Sequence, residues 1–504
     1  MEWEDYYNYH PAYARQDPTG LGDVCYYRRT HEAHAHKNHL ACREEILAEL
    51  REDVTPGRGA LEAGGSRIMK KTPSLPTNRL LGRRHFITGT TAGVAGSLLG
   101  PSIGLAGAQG RGGRGQEPGP ALPPIQPAPA QFPGTGRYLY VTNDRGRRVD
   151  VFSNTTGEHS LLWSFPYADP GGRVGGVCAD RATQRLFATQ LSDGTVAAYD
   201  MLTGKIIWRV NTVEKYGLRQ PDRLTITVDG KALFVPMNFS RETSGYGGWQ
   251  NHVYLVLDAA TGEKISEIPR PGRPHNSWSG EAGRYMYLGG RSDQTLVVAD
   301  QKTYKVIKTI GPFDWPIRMF VTDPRETYFY TTLTRTVGFG VADIRDGKVL
   351  SDVLVQVPKT RTKNWTASSA GGGAGSLPHG DNPWSHGLGM RPGGSEEVWV
   401  LNDEWGYLHV FDTKANPAQP KFKGHVELFD KIDEAWASDT GNRWVAFSLD
   451  GKYCYPSDGS VVDCVTGKKT SMKISPSEKL LEVEFRNGKA VRNTGQQGGV
   501  YGNS

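Results

Sequence analysis

The chain has 504 residues, a formal net charge of +6, 63 glycines and 31 prolines. No basic tract is interleaved with aromatic residues, so the composition argues against a nucleic-acid-binding protein. The many glycines and prolines are typical of short strands joined by tight turns.

Residues 1–68 are predicted to be a disordered segment upstream of the natural start of the protein. We expect the start at Met69, because an export signal, which begins near a protein's N-terminus, follows it. The segment carries Cys25, Cys42 and four histidines between them, a set that could imitate a zinc site. Their spacing fits no zinc-finger pattern, so we favour a chance cluster.

Residues 69–108 are predicted to be a twin-arginine signal peptide. Arg83 and Arg84 are followed by Phe86, a weakly apolar stretch and the small residues Ala106-Gly107-Ala108, which suit a signal peptidase. The pattern predicts a periplasmic or extracellular protein; a disordered leader and an uncleaved membrane anchor are the alternatives. No other stretch reaches the about 18 apolar residues of a spanning helix, so we expect no transmembrane span in the mature chain.

Residues 109–134 are rich in Pro, Gly and Ala and are predicted to form a flexible linker. Three cysteines remain in the exported part. Cys454 and Cys464 flank a predicted turn at Ser457-Asp458-Gly459, so we expect them on neighbouring strands. A disulfide between them and two free buried thiols are both open interpretations.

A repeated unit dominates residues 135–492. Each copy begins with a polar residue and an apolar strand, has a Gly eight positions later, and continues with a second strand and an Asp-containing third strand. The four copies that keep this glycine are led by Asp222, His275, His386 and Arg443. Arg318 leads a fifth copy, with Glu326 in place of the glycine. A period of roughly 40–50 residues built from short strands is the signature of a β-propeller.

The copies predict an all-β, seven-bladed β-propeller. Six blades start near Val174 and near the five leading residues of the repeat. The remaining blade has strands at 137–143, 149–152 and 161–163 and lacks its innermost strand. The alternating segment 479–485 is expected to supply it, which would close the ring by pairing the C-terminal strand with the first blade. We expect residues 493–504 to be a flexible tail and the protein to be a monomer.

Tyr140-Val141-Thr142-Asn143 resembles the signature of the YVTN family of bacterial seven-bladed propellers, which are WD40-like and quinoprotein amine dehydrogenase-like. The Asp-x-x-Thr-Gly turns that begin at Asp200, Asp258 and Asp463 resemble the turn after the third strand in that family. The resemblance implies the fold and little about function. Similar propellers include lactone hydrolases, dehydrogenase subunits, metal-binding oxidoreductases and pure binding modules.

The leading residues of the repeat are the candidate site. In a propeller the innermost strands all start on one face, so these residues are expected to ring the mouth of the central channel. The predicted ligand-binding residues are Asp222, Arg223, His275, Arg318, His386 and Arg443. Their charges favour a small anionic ligand, although strand starts also tolerate polar residues for structural reasons. The long segments 239–251 and 360–384 are expected on the same face, as lids or as mobile glycine-rich loops.

A bound metal is the competing interpretation of this site. His275 and His386, with His379 or Glu434 as a further ligand, could hold Zn²⁺ or Cu²⁺. Arginines beside the same cavity repel a dication, so we favour the anion.

The sequence lacks the nucleophile and metalloprotease motifs Gly-x-Ser-x-Gly and His-Glu-x-x-His. We therefore expect an exported propeller that binds a small anionic ligand or a protein partner at its axial face, without chemistry of its own. The alternative is a periplasmic enzyme that uses the same cavity, as a lactonase-like hydrolase or a metal-dependent oxidoreductase. A structural protein of the cell envelope is the third interpretation.

Overall fold

The computed structural model describes residues 125–502, apart from 145, 170–172, 192–193, 241–251, 271, 292, 334–336, 356–384, 403–405, 429–443 and 477–478. The predicted upstream segment, the predicted signal peptide and most of the predicted linker lie outside the described residues. The described part consists of β-strands and one short helix, joined by turns.

The first sixteen strands are β1 (Gly136–Asn143), β2 (Arg148–Ser153), β3 (Ser160–Pro166), β4 (Val174–Asp180), β5 (Arg185–Gln190), β6 (Thr195–Asp200), β7 (Ile206–Asn211), β8 (Leu218–Pro221), β9 (Thr225–Ile226), β10 (Ala232–Ser240), β11 (Val253–Asp258), β12 (Lys264–Pro269), β13 (Pro274–Ser279), β14 (Tyr285–Gly290), β15 (Leu296–Asp300) and β16 (Val306–Ile310). The others are β17 (Ile317–Thr322), β18 (Tyr328–Leu333), β19 (Gly338–Asp343), β20 (Val349–Leu354), β21 (Leu388–Arg391), β22 (Glu397–Asn402), β23 (Tyr407–Asp412), β24 (Lys421–Glu427), β25 (Val445–Phe447), β26 (Tyr453–Pro456), β27 (Ser460–Asp463), β28 (Lys468–Lys473), β29 (Leu480–Arg486), β30 (Lys489–Gly495) and β31 (Gly498–Tyr501). The helix α1 (Thr212–Tyr216) lies between β7 and β8.

The middle strands of each sheet are apolar and buried on both faces, which is the environment that favours aromatic and branched residues. In β5, for example, Leu186, Phe187 and Ala188 are consecutive and all buried. Large side chains fill the spaces between sheets, and Trp163 and Trp399 are almost fully buried. Each such burial stabilises the fold by roughly 1.5–3 kcal/mol.

The Asp-x-x-Thr-Gly turns connect third and fourth strands through side-chain hydrogen bonds. Asp258 Oδ1 accepts hydrogen bonds from the backbone N–H groups of Ala260 and Thr261, both at 2.9 Å, and from Thr261 Oγ1 at 3.0 Å. Gly262 closes the turn with a φ of +76°, where a larger residue would be strained. The turn at Asp200 has the same hydrogen bonds.

The sheets have the arrangement of a β-propeller, in which most strands pair with their neighbours in sequence. Five sheets are separate blades: β4–β7, β13–β16, β17–β20 and β25–β28 have four strands each, and β8–β12 has five. The other strands form one ten-stranded sheet in the order β24-β23-β22-β21-β31-β30-β29-β1-β2-β3.

The prediction of seven blades closed by the C-terminal strand is wrong. The described strands form five blades and one continuous sheet, and the C-terminal pairing does not close a sheet of its own. β29 lies antiparallel to β1, with Leu481 opposite Tyr140. The chain then continues through β30 and β31, and a pairing of Gly498 with Met390 joins β31 to β21. The ten-stranded sheet therefore does not close as a separate blade, because β30 and β31, which carry no copy of the repeat, continue it from β29 to β21.

The C-terminal segment, where we expected a flexible tail from residue 493, contains β31 and crosses the inner strands. Gln496 Oε1 accepts a hydrogen bond from the Val177 N–H at 3.2 Å, and Gln496 Nε2 donates to the Leu224 carbonyl at 3.1 Å. Gln496 also accepts a hydrogen bond from Trp444 Nε1 through its carbonyl. The segment thus binds three blades at once. No helix within the described ranges is long and apolar enough to span a membrane.

Candidate functional site

Three of the predicted site residues form one chain of hydrogen bonds. His275 Nδ1 lies 2.6 Å from Asp222 Oδ2, and His275 Nε2 lies 2.9 Å from Arg223 Nη1. Asp222 directly follows β8, and His275 is the second residue of β13. The backbone sets this adjacency, because the Arg223 N–H donates to the His275 carbonyl and the Ser277 N–H donates to the Arg223 carbonyl. The repeat register therefore brings residues of two neighbouring blades into contact.

The hydrogen bonds fix the protonation state of His275. A guanidinium group only donates, so Arg223 donates to Nε2 and the proton of the imidazole lies on Nδ1, facing Asp222. Burial and the charge of Arg291 lower the pKa of His275 well below its usual range. Burial raises the pKa of Asp222, but His275, Arg223 and Arg291 together more than offset this and hold it below its usual range. At neutral pH this chain of hydrogen bonds therefore joins the Asp222 carboxylate, the neutral His275 imidazole and the Arg223 guanidinium.

Arg223 reaches across the inner strands of several blades. Its Nη1 lies 3.0 Å from the Met319 sulfur in β17, and its guanidinium carbon lies 3.9 Å from the centre of the Trp444 ring. Lys479 Nζ lies 5.3 Å from the centre of the same ring. Both contacts with Trp444 are cation–π interactions, which strengthen when they are shielded from water. Arg223 is only 2% exposed, so this side chain fills space near the axis as well as carrying charge.

Three further arginines gather around this chain. Arg273 precedes β13 and is buried, whereas Arg291, in the turn after β14, and Arg318, in β17, are half-buried. Burial, followed by the charges of Arg291 and Arg318, lowers the pKa of Arg273 well below its usual range. Arg291 also acts electrostatically on both Asp222 and His275. The site thus places Arg223 and Arg291 close enough to act on Asp222, and Arg291 and Arg318 close enough to act on Arg273.

The remaining predicted residues are distributed differently. His386 precedes β21 and is buried; its N–H donates to the Leu401 carbonyl at 3.2 Å, and its carbonyl accepts from Thr332 Oγ1 at 2.9 Å. Arg443, His379 and Glu434 lie outside the described residues, as do most of the two long segments that we expected to act as lids.

Sequence reasoning missed Arg273 and Arg291. Arg273 stands two residues before His275, and Arg291 is the first residue after β14. Pro274 at the start of β13 pairs with Gly290 at the end of β14, so a search of the turn after the second strand of this blade would have found Arg291. The Arg291 N–H donates to the Arg273 carbonyl at 2.9 Å, which holds the two segments together.

The geometry of His275 does not favour a metal. Both ring nitrogens are engaged, and a metal ion would have to displace Arg223 or Asp222 to reach either of them. Within the part of the chain that the structure describes, no group of three or more His, Cys, Asp or Glu side chains could hold a metal ion. Cys178, Cys454 and Cys464 are buried free thiols, so the disulfide interpretation of the last two is not supported.

No protein-family model matches this chain, and no curated protein does either. Among solved structures, a functionally unknown protein from Desulfotomaculum acetoxidans has a TM-score of 0.50 and 12% identity, over 68% of this chain and 98% of that one. The dihydro-heme d1 dehydrogenase NirN in complex with DHE has a TM-score of 0.45 and 14% identity, over 74% and 75%. Kuenenia stuttgartiensis hydrazine synthase has a TM-score of 0.43 and 16% identity, over 62% and 92%. These similarities concern the fold alone, which is a β-propeller.

Proposed function

We propose that this protein binds a small anion at the inner-strand site around Arg273, Arg291 and Arg318. The supporting observation is that Arg291 and Arg318 lie close enough to Arg273 for their charges to add to the effect of burial, the largest cause, in lowering its pKa. Like charges brought together away from water are costly, and an anion between them offsets that cost.

The ligand class follows from the donors. Guanidinium groups present paired N–H donors that match a carboxylate or a phosphate in a bidentate arrangement. The ligand is therefore a small molecule, or an acidic group of a protein partner, that carries one of these groups. Asp222 holds Arg223 in place through His275, so this part of the site acts as a rigid support.

The same geometry argues for binding without catalysis. A lactonase-like hydrolase needs a general base with a free acceptor atom. The acceptor of His275, Nε2, already receives a hydrogen bond from Arg223, and the lowered pKa of the imidazole makes it a poor base at neutral pH. The hydrolase alternative therefore has less support than ligand binding.

Isothermal titration calorimetry with inorganic phosphate and with citrate, at pH 7 and fixed low ionic strength, tests the proposal. Arg291→Gln and Arg318→Gln should each weaken binding about 10- to 100-fold, since a hydrogen bond to a charged group contributes about 1.5–3 kcal/mol. Arg345→Gln is the matched control, because the Arg345 side chain is exposed and pairs with Asp343 elsewhere. Equal affinity in all three variants and the wild type would contradict an anion site at this position.

We further propose that the protein is exported by a twin-arginine signal at residues 69–108 and is related to the YVTN propellers. Support comes from Arg83-Arg84 with the small residues before position 109, and from Tyr140-Val141-Thr142-Asn143, which lies in β1. N-terminal sequencing of the exported product should begin at Gln109. Replacing Arg83 and Arg84 by Lys should leave the precursor uncleaved, and normal cleavage of that variant would refute the export proposal.

A further inference from the structure

A pair of histidines lies far along the chain from the inner-strand site, in the ten-stranded sheet. His409 in β23 is directly opposite His425 in β24 in the antiparallel register. Residues opposite each other in such a pair project to the same face, with Cβ atoms about 4.5–5.5 Å apart. The two imidazoles therefore share one side of the sheet.

His409 is buried in an unusual way. It is 1% exposed, yet neither Nδ1 nor Nε2 has a hydrogen-bond partner among the described residues. A buried polar group without a partner costs free energy, so such a group calls for a ligand or another explanation. The rings around His409 are those of Tyr407, Phe422 and His425, at centroid distances of 5.9, 6.4 and 6.4 Å.

The spacing of the two rings suits a shared metal ion. A metal–nitrogen bond of about 2.0–2.1 Å places each ring centroid about 3 Å from the ion, so two rings on one ion stand about 5–6 Å apart. The centroids of His409 and His425 are 6.4 Å apart, and a small side-chain rotation covers the difference. His425 is exposed, so an ion can reach the pair from solvent.

We propose that His409 and His425 bind one divalent transition-metal ion of the zinc, nickel or copper class, with water completing the coordination sphere. These are the divalent ions for which imidazole is a preferred ligand. The proposed metal site shares no residue with the arginine site of the inner strands, so the metal proposal and the anion proposal are tested independently.

The test is titration of the untagged full-length protein with Zn²⁺ and with Ni²⁺, by calorimetry and by metal analysis after dialysis. His425→Ala changes an exposed side chain and should leave the fold intact, and His409→Phe keeps an aromatic ring in the buried position. Each variant should bind one equivalent less than the wild type, or bind it at least about tenfold more weakly, as even outer-shell partners contribute that much.

His159→Phe is the matched control. His159 is also buried, but its ring nitrogens contact the Gly157 carbonyl and the Tyr455 hydroxyl, so it is not expected to bind metal. The test compares the number of ions bound by each variant with the number bound by the wild type, because residues 1–68 contain further cysteines and histidines. The proposal is overturned if the wild type, the control and His425→Ala bind the same number of ions with the same affinity. It is also overturned if the wild type binds neither ion.

Discussion

Replacing Asp222 by Ala should strongly destabilise the protein. The carboxylate is the acceptor for His275 Nδ1 at 2.6 Å, and the two side chains are 7% and 2% exposed. Its removal leaves a buried N–H donor without this acceptor and removes a negative charge that interacts electrostatically with Arg223. Breaking a buried charged pair by removing one partner costs about 3–5 kcal/mol. The free energy of unfolding, measured by urea denaturation at pH 7, should fall by that amount.

Asp222→Asn separates hydrogen bonding from charge. The amide oxygen of Asn can still accept from His275 Nδ1, so this variant should recover about 1 kcal/mol relative to Asp222→Ala. The pKa of Asp222 is lowered in the folded state, so its contribution is present above the unfolded value of about 3.9 and is lost as the pH falls below it. The gap between wild type and variant should therefore narrow in acid.

A surface ion pair supplies the control for this experiment. Glu263 is 64% exposed and pairs with Lys215, so Glu263→Ala should change stability far less than Asp222→Ala, because exposed pairs contribute little. If Asp222→Ala were as mild as Glu263→Ala, the chain of hydrogen bonds through His275 would not exist in solution as described.

Three other substitutions test the pH dependence and the C-terminal segment. The folded pKa of His409, about 3, is below the unfolded value of about 6.5, so the free energy of unfolding decreases as the pH falls below 6.5. Between pH 6.5 and 5, and with a chelator present, this decrease should be about 2 kcal/mol smaller in His409→Phe than in the wild type. Burial raises the folded pKa of Glu482 to about 7, so its contribution to stability is present below about pH 4.5 and is lost as the pH rises to 7. Between these two pH values the free energy of unfolding should decrease by about 3 kcal/mol less in Glu482→Gln than in the wild type. Gln496→Ala leaves the Val177 N–H and the Leu224 carbonyl without their partner, which should cost about 2–4 kcal/mol in thermal or urea unfolding. Unchanged stability in this last variant would mean that the C-terminal segment does not hold the inner strands together.

Local features of the fold were predictable from the sequence. Asp258 and Thr261 satisfy the turn by themselves, so their spacing alone predicts the hairpin that joins β11 and β12. The strand that carries Tyr140 was equally clear, because it is a run of aromatic and branched residues, which are buried along almost the whole strand. Such features depend only on neighbours in sequence.

The number of separate sheets could not be predicted from the sequence, because the C-terminal strands have no hydrophobic pattern of their own. Residues 489–501 contain few apolar side chains, and Gln496 and Gln497 lie between glycines. Their order comes from distant partners: Gln497 accepts a hydrogen bond from Asn276 Nδ2 at 3.3 Å, and Gly498 pairs with Met390. A periodicity of hydrophobic residues cannot detect a strand that is held by backbone pairing and buried amides.

The candidate site contains features of both kinds, those that the sequence predicts and those that depend on distant partners. The repeat register places Asp222 and His275 at equivalent positions of adjacent blades, and the structure shows these two side chains in contact. It did not indicate that the two would bind each other and Arg223, which depends on side-chain length and burial. It also did not include Arg291, because Arg291 lies in a turn and leads no copy of the repeat.

The two kinds of residue at this site are expected to respond differently to mutation. Asp222, His275 and Arg223 are bonded to one another in a buried chain, so they are fixed before any ligand arrives. A rigid support of this kind reduces the entropy lost on binding and so favours affinity without contacting the ligand. Arg291 and Arg318 are half-buried and act electrostatically on Arg273, so they are better placed than the three buried residues to meet an anion. Asp222→Asn should therefore lower stability more than phosphate affinity, and Arg291→Gln should do the reverse. Loss of both properties together in either variant would mean that support and binding are not separable in this protein.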